Sequence, residues 1–271
     1  MNPLPSPIFQ VQDVTYRYEQ VTALDAARLE VMEGQRVALL GANGSGKSTL
    51  LRILGGLYFP EAGAVLFRGD PLTEERFQNE PFSFAFRRSV GMLFQNPDVQ
   101  LFNPTVFDEV AFGPLQLHWS KDTILAGVSR SLDSMGILPL KGRPPHRLSG
   151  GEKKRVALAS VLIMDPEVLL LDEPTAALDP QSQGHIIDLL AGWKGTGKTI
   201  VAATHDLDSL EEIADHCFIF QNGQVVAQGA PATLLSDIPL LERTGLLHVH
   251  RHVHRSGVVH SHPHRHHEHE S

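Results

Sequence analysis

Residues 41–48, Gly-Ala-Asn-Gly-Ser-Gly-Lys-Ser, satisfy the spacing G-x-x-x-x-G-K-[ST]. Glycines at Gly41, Gly44 and Gly46 let a loop, with Asn43 and Ser45 between them, turn its backbone N–H groups around phosphate oxygens. Lys47 adds a point charge for the outer phosphates, and the Ser48 hydroxyl can ligate Mg²⁺. A helix running on through Thr49 aims its N-terminal N–H groups at the same anion. A second chemistry lies at Val168–Glu173, where an apolar run ends in Asp172 and Glu173. Unpaired buried carboxylates are costly, so a metal and a water explain the pair. Asp172 is expected to hold Mg²⁺ through water, and Glu173 to orient and deprotonate the water that attacks a terminal phosphate. A third feature is Leu148-Ser149-Gly150-Gly151-Glu152, which opens a basic helix at Lys153-Lys154-Arg155. Ser and two glycines at a helix start make a second anion-binding end.

These groups need a scaffold. Alternation predicts strands from Ile8 and near Ala27–Val31, then a short apolar strand at Gln35–Leu40 leading into the glycine loop. Leu50, Ile53, Leu54 and Leu57 place a helix at Thr49–Leu57, and Ala64–Phe67 reads as a strand. Residues 89–165 read as mainly helical. Beyond them come a strand at Val168–Asp172, a helix at Gln181–Trp193, a strand at Thr199–Thr204, a helix at Leu207–Asp215 and a hairpin around Asn222-Gly223. Strands alternating with helices predict an α/β core with a mainly parallel sheet. The order matters at 192–199, Gly-Trp-Lys-Gly-Thr-Gly-Lys-Thr, which also fits the phosphate-loop spacing. There a helix precedes and a strand follows, so that stretch is read as a turn.

The chain has 271 residues and a formal charge of −8, a poor balance for gripping nucleic acid, and no nucleic-acid partner is expected. One cysteine excludes an internal disulfide and a Cys-rich zinc site. No apolar run reaches the roughly 18 residues that span a bilayer, and the N-terminus lacks the basic start of a signal peptide. A peripheral place on the cytoplasmic face of the cell membrane is the expectation. Residues 1–7 are expected to be loose.

The motifs are similar to those of ATP-binding cassette (ABC) ATPases, in that family's order over about residues 8–247. Leu148–Glu152 resembles the signature motif, Ala177-Leu178-Asp179 the D-loop, Gln95 the Q-loop glutamine and His205 the switch histidine. Tyr18 resembles the aromatic residue that stacks on adenine, ahead of Tyr16. The resemblance implies a P-loop NTPase fold, with an antiparallel β portion and a helical subdomain inserted at about 89–165. It implies ATP with Mg²⁺ held by Ser48, Gln95 and Asp172, and catalysis by Glu173, His205 and Gln95. It also implies two domains associating head to tail. Ser149, Gly150 and Gly151 of one chain, with Asp179, would then meet nucleotide bound by the other. One complete motif set favours a homodimer.

With no spanning segment, a transporter reading requires separate integral membrane subunits. Residues 91–114 and 229–246 resemble the ATPases of energy-coupling-factor importers, particularly the nickel and cobalt branch. The rival readings are the same motor serving a vitamin or another metal, and a soluble ABC ATPase outside transport. Residues 248–271 form a His-rich tail, expected to lack regular structure, with His248, His250, His252, His254, His260, His262, His264, His266, His267 and His269. In an extended chain, H-x-H sets two imidazoles on one face about 7 Å apart. Neutral imidazole suits Ni²⁺, Co²⁺ and Zn²⁺.

Overall fold

A computed structural model describes residues 7–253 and 259–264, with 248–253 and 259–264 described by the backbone alone. The chain runs β1 (Pro7–Tyr18), β2 (Val21–Met32), β3 (Arg36–Leu40), α1 (Lys47–Leu54), β4 (Ala62–Phe67), β5 (Asp70–Pro71), α2 (Glu74–Gln78), α3 (Glu80–Ser89) and β6 (Val90–Leu93). It continues through α4 (Val106–Gln116), α5 (Lys121–Ser134), α6 (Gly150–Leu162), β7 (Val168–Asp172), α7 (Pro180–Gly192), β8 (Thr199–Ala203) and α8 (Leu210–Ile213). It ends with β9 (His216–Gln221), β10 (Gln224–Gly229), α9 (Pro231–Ser236), α10 (Ile238–Arg243), β11 (His248–Val253) and β12 (Val259–His264). The described residues form two compact units, one of the residues up to Glu74 with those from Ala203 on, and the other Glu75–Ala202.

In the first unit, an antiparallel sheet has the order β2-β1-β4-β5. Phe9, Val11 and Val14 of β1 are buried. Alternation is interrupted at Asp13, whose φ of +51° accompanies the register shift between Val11 and Val14, and Ile8 is buried beside Phe9. Strand β3, buried throughout, pairs parallel with β9, which pairs antiparallel with β10. The β9–β10 turn is Asn222-Gly223 with φ of +50° and +79°. That left-handed pair is what a two-residue hairpin turn asks for. Arg36 is 1% exposed, and its guanidinium donates to both Asp215 carboxylate oxygens, at 3.1 and 2.7 Å, and to the Glu212 carbonyl at 2.7 Å. The helix expected over 207–215 is shorter. The Asp206 carboxylate accepts from the Asp208 N–H and the Ser209 hydroxyl, both at 2.9 Å. That local turn competes with helix until Leu210.

In the second unit, the strand order is β8-β7-β6, with β6 and β7 parallel from Val90↔Val168 to Leu93↔Leu171. Helices α4, α5 and α6 fill much of the stretch read as helical, and the Ser131 hydroxyl ties α5 to the Ala159 carbonyl of α6 at 2.9 Å. The same stretch also holds strand β6. Its four residues are too few for periodicity to reveal. A Cβ at Gly91 would lie 2.5 Å from Val161 Cγ1, so the glycine is what lets α6 pack onto this strand. Helix α3, which the periodicity does not announce, is capped by Asn79 accepting from the Phe82 N–H at 3.1 Å. The second glycine-rich match does join α7 to β8, and Lys198 Nζ donates to Asp165 Oδ1 at 2.6 Å and to the Pro166 carbonyl at 2.9 Å. It is a turn.

Among the described residues no helix is long and apolar enough to cross a membrane. In the tail, β11 and β12 pair antiparallel, which sets His248, His250 and His252 opposite His264, His262 and His260. His254, His266, His267 and His269 lie outside the described residues.

Candidate active site

Strand β3 delivers the chain to Gly41, and α1 leaves it at Lys47. Between them Gly41, Gly44 and Gly46 adopt φ of +146°, +79° and +109°. A Cβ at Gly41 would meet the Phe220 carbonyl at 2.4 Å, and one at Gly46 the Ala23 carbonyl at 2.5 Å. Glycine is therefore required twice over, by backbone conformation and by space. The loop is braced from behind, with Gly223 N–H donating to the Ser45 carbonyl and Asp25 N–H to the Gly223 carbonyl, both at 3.1 Å. Lys47 is 6% exposed, and its ammonium donates to the Gly41 and Ala42 carbonyls at 2.6 and 3.1 Å, which holds it over the loop. Ser45 Oγ is buried with no hydrogen-bond partner among the described residues. A polyanion fits this loop, with a helix start, a held cation and a hydroxyl unpaired among the described residues.

Beside α1, the Tyr18 hydroxyl and Thr49 Oγ1 lie 3.3 Å apart, and Arg52 donates to the same Tyr18 oxygen at 3.3 Å. Tyr18 is 37% exposed and packs edge-on to Tyr16 and Tyr58, with ring centroids 5.1 and 5.9 Å away. Tyr16 stacks on Tyr58 at 5.3 Å, leaving Tyr18 the freer ring. The Thr204 N–H donates to the Leu39 carbonyl at 3.1 Å. His205 thus follows directly from a residue bonded to the strand that enters the loop.

The second unit gathers Gln95, Ser149–Gly151, Asp172, Glu173 and Asp179. Strand β7 is buried along its length and ends in Asp172, 1% exposed, followed by Glu173, 6% exposed with φ of +48°. A left-handed glutamate costs on the order of 1 kcal/mol, so the surrounding bonds must hold it. Ser149 caps α6 in a reciprocal box, with Glu152 N–H donating to Ser149 Oγ at 3.3 Å and Ser149 N–H to Glu152 Oε2 at 2.7 Å. That backbone donor holds the Glu152 carboxyl below its ordinary range. Asp179 caps α7, accepting from the Ser182 hydroxyl at 2.6 Å and the Ser182 N–H at 3.0 Å. The hydroxyl bond chiefly lowers its pKa. A Cβ at Gly151 would stand 3.6 Å from Asp179 Oδ2, so the signature helix and the D-loop are neighbours within this unit.

The sequence reading singles out neither Lys154 nor Tyr58. Lys154 reads as one member of the basic run Lys153-Lys154-Arg155, and it is 2% exposed. Its ammonium donates to the carbonyls of Phe94, Gln95 and Asp172 at 3.2, 2.9 and 3.4 Å. Desolvation pulls its pKa down to about 8, against the opposing charges of Asp172 and Glu173. The one available hint is helical spacing, since Lys154 lies four residues before Leu158, which is buried.

Ser48 in the first unit offers a hydroxyl oxygen, and Gln95 and Asp172 in the second offer amide and carboxylate oxygens, each a hard donor of the kind that suits Mg²⁺. A bound Mg²⁺ would supply charge neutralisation at the outer phosphates. In the first unit Lys47 and the loop N–H groups are the groups that would bind and orient an anion, and in the second unit Glu173 offers a carboxylate that would take a proton from water.

Comparison with known proteins agrees with this chemistry. A profile of the ABC transporter family matches residues 24–176. The chain is 57% identical over 89% of its length to the nickel import ATP-binding protein NikO of Rhodobacter capsulatus, covering 96% of that protein. It is 40% identical to the energy-coupling factor transporter ATP-binding protein EcfA of Methanocaldococcus jannaschii, over 88% of this chain and 85% of that one. The solved structure of CbiO1 from Clostridium perfringens, part of the CbiONQ ABC transporter complex, superposes with a TM-score of 0.73 at 37% identity, over 89% of this chain and 95% of that one. A dimeric ATP-binding cassette in a post-hydrolysis state with ADP and phosphate gives a TM-score of 0.74 at 27% identity, over 82% of this chain and 98% of that one. The chain belongs to the ABC transporter family, as an ATP-hydrolysing subunit.

Proposed function

We propose that this ATPase drives uptake of nickel or cobalt ions, as a homodimer peripheral to the cytoplasmic face of the membrane and bound there to integral membrane subunits. The observation that carries the motor reading is the glycine loop with Lys47, together with Asp172 and Glu173 at the end of a buried strand. The cargo reading is supported by the 57% identity to a protein named for nickel import. In this reading Lys47 and residues 41–49 hold the phosphates and Tyr18 stacks on the base. Glu173 takes the proton from the attacking water, which Gln95 and His205 help to place. Mg²⁺ is held by Ser48, Gln95 and Asp172. Ser149, Gly150 and Gly151 close on the γ-phosphate held by the second subunit, with Asp179 beside them. Hydrolysis removes that ligand and so loosens the dimer.

A groove in the second unit, lined by Phe77, Phe84, Arg87, Phe112, Leu117 and Met164, suits an amphipathic helix from a membrane subunit. Phe84 is 52% exposed there, and apolar area left open in this way favours a partner. The tail is the expected place for Ni²⁺ or Co²⁺ on the cytoplasmic side, where it would buffer the ion or feed back on uptake. The alternating imidazoles support that role, as does the β11–β12 register.

The test is uptake of labelled Ni²⁺ and Co²⁺, assayed separately, in cells carrying the complete transporter. Wild type is compared with Glu173→Gln and with a chain lacking residues 248–271. Glu173→Gln should lower ATP turnover about 10²–10⁴-fold and abolish uptake of the cargo ion. Unaffected uptake of both ions, beside wild-type chain that hydrolyses ATP, moves the cargo to a vitamin or another metal. Unchanged metal content and uptake after tail deletion removes the tail from the mechanism.

A further inference from the structure

A lysine ammonium sealed from water is costly unless each N–H finds an acceptor. Lys154 meets that condition with three carbonyls and, among the described residues, no hydrogen-bonded carboxylate. Its three acceptors come from two separate places in the chain. Phe94 and Gln95 follow β6, and the Asp172 carbonyl belongs to the peptide that joins Asp172 to Glu173. Lys154 itself sits in the first turns of α6, the helix capped by Ser149. One side chain therefore joins the glutamine segment, the carboxylate segment and the signature helix. The peptide it grips is also the one that leads into Glu173 at φ +48°. Rotating that peptide would redirect the Glu173 side chain, and the bond to Lys154 opposes the rotation. A methionine could fill the same volume without the desolvation cost, so packing alone does not call for a lysine here.

We infer that Lys154 is a positioning residue for hydrolysis: from the signature helix it clamps the Asp172–Glu173 peptide and the Gln95 carbonyl, and so sets the attitude of Glu173 toward the attacking water. The inference rests on Glu173 acting as the base. Movement at the signature end of α6 then reaches the base through a single hydrogen-bonded side chain.

The test uses the full chain with ATP and Mg²⁺ and the variants Lys154→Met and Lys154→Gln, each alone and combined with Glu173→Gln. Displacing a catalytic group by about 1 Å costs on the order of 10²-fold in rate. Lys154→Met is expected to lower kcat by at least about tenfold, with KM for ATP changed less than about threefold, because the phosphate loop is untouched. Lys154→Gln keeps two N–H donors and should recover part of the rate. In the Glu173→Gln background, Lys154→Met should lower residual single-turnover hydrolysis less than about twofold, since a residue acting through Glu173 has little left to lose. Thermal unfolding identifies the folded variants. If Lys154→Met does not fold, Lys154→Gln is judged by the same kcat-to-KM split and the same cycle. The inference is overturned if the folded variant keeps kcat within about twofold of wild type, if KM alone rises, or if the loss recurs in full in the Glu173→Gln background. Full turnover in Glu173→Gln alone would sink the base reading. An inactive Glu173→Gln beside an active Lys154→Met would sink only the clamp.

Discussion

Gly150→Ala separates what the chain needs for its own fold from what it needs for a partner. Gly150 opens α6 without a positive φ, and a Cβ built there meets nothing within 4 Å. Glycine in a helix gives up as much as about 0.5–1 kcal/mol relative to alanine. The substitution should leave the isolated chain unchanged or stabilise it by up to that amount, a rise in Tm of at most about 2–4 °C for a chain of this size. Gly46→Ala is the contrast. There φ is +109°, and the Cβ would meet the Ala23 carbonyl at 2.5 Å and Leu24 Cδ2 at 2.9 Å. Backbone strain of about 1–3 kcal/mol adds to that clash, so Tm should fall by about 4 °C or more. Yet in the proposed head-to-tail dimer Gly150→Ala should lose turnover and ATP-dependent dimerisation, because there the new methyl would enter the space proposed for the second subunit's nucleotide. The assays are thermal unfolding without nucleotide, steady-state ATPase activity, and sedimentation with ATP in the Glu173→Gln background. The reasoning fails if Gly150→Ala destabilises the free chain as Gly46→Ala does. It also fails if the variant keeps wild-type turnover and the dimer.

Lys47→Ala should weaken nucleotide binding at least about tenfold, or about 1.4 kcal/mol; unchanged affinity in a direct titration would count against the loop at 41–48. Asp215→Ala strips a carboxylate from a guanidinium that is 1% exposed, and should cost about 3 kcal/mol, read as a lower urea midpoint at unchanged slope. Burial pushes the Cys217 thiol up to about 12. Native protein at pH 8 should therefore resist thiol reagents and react in denaturant, and quantitative labelling of folded protein would contradict its burial. Above about 8.5 the unfolded chain releases a thiol proton that the folded chain keeps. Cys217 thus contributes a loss of stability as pH rises toward 12, and Cys217→Ala should remove that part of the slope.

The phosphate loop was legible because its requirements are local. Three glycines with positive φ, a lysine and a helix start are all written within eight residues. The Asn222-Gly223 hairpin was legible for the same reason. Element order, also readable along the chain, was enough to separate the loop at 41–48 from its imitation at 192–199. Helix α8 came out shorter than expected because Asp206 builds a turn whose bonds periodicity does not register. Strand β6 escaped notice because four residues, one of them a glycine, carry no period.

What the sequence determined by itself was the chemistry on offer: a phosphate cradle, two carboxylates at a strand end and a capped signature helix, all set by neighbours in the chain. Only the tertiary structure decided which charges are sealed from water. Lys153 and Lys154 are adjacent and alike in sequence, yet Lys153 pairs with Asp98 at the surface while Lys154 is buried against three carbonyls. Arg36 and Lys154 owe their roles to partners that are 179 and as many as 60 residues away. Burial depends on those distant partners, and no window along the chain contains them.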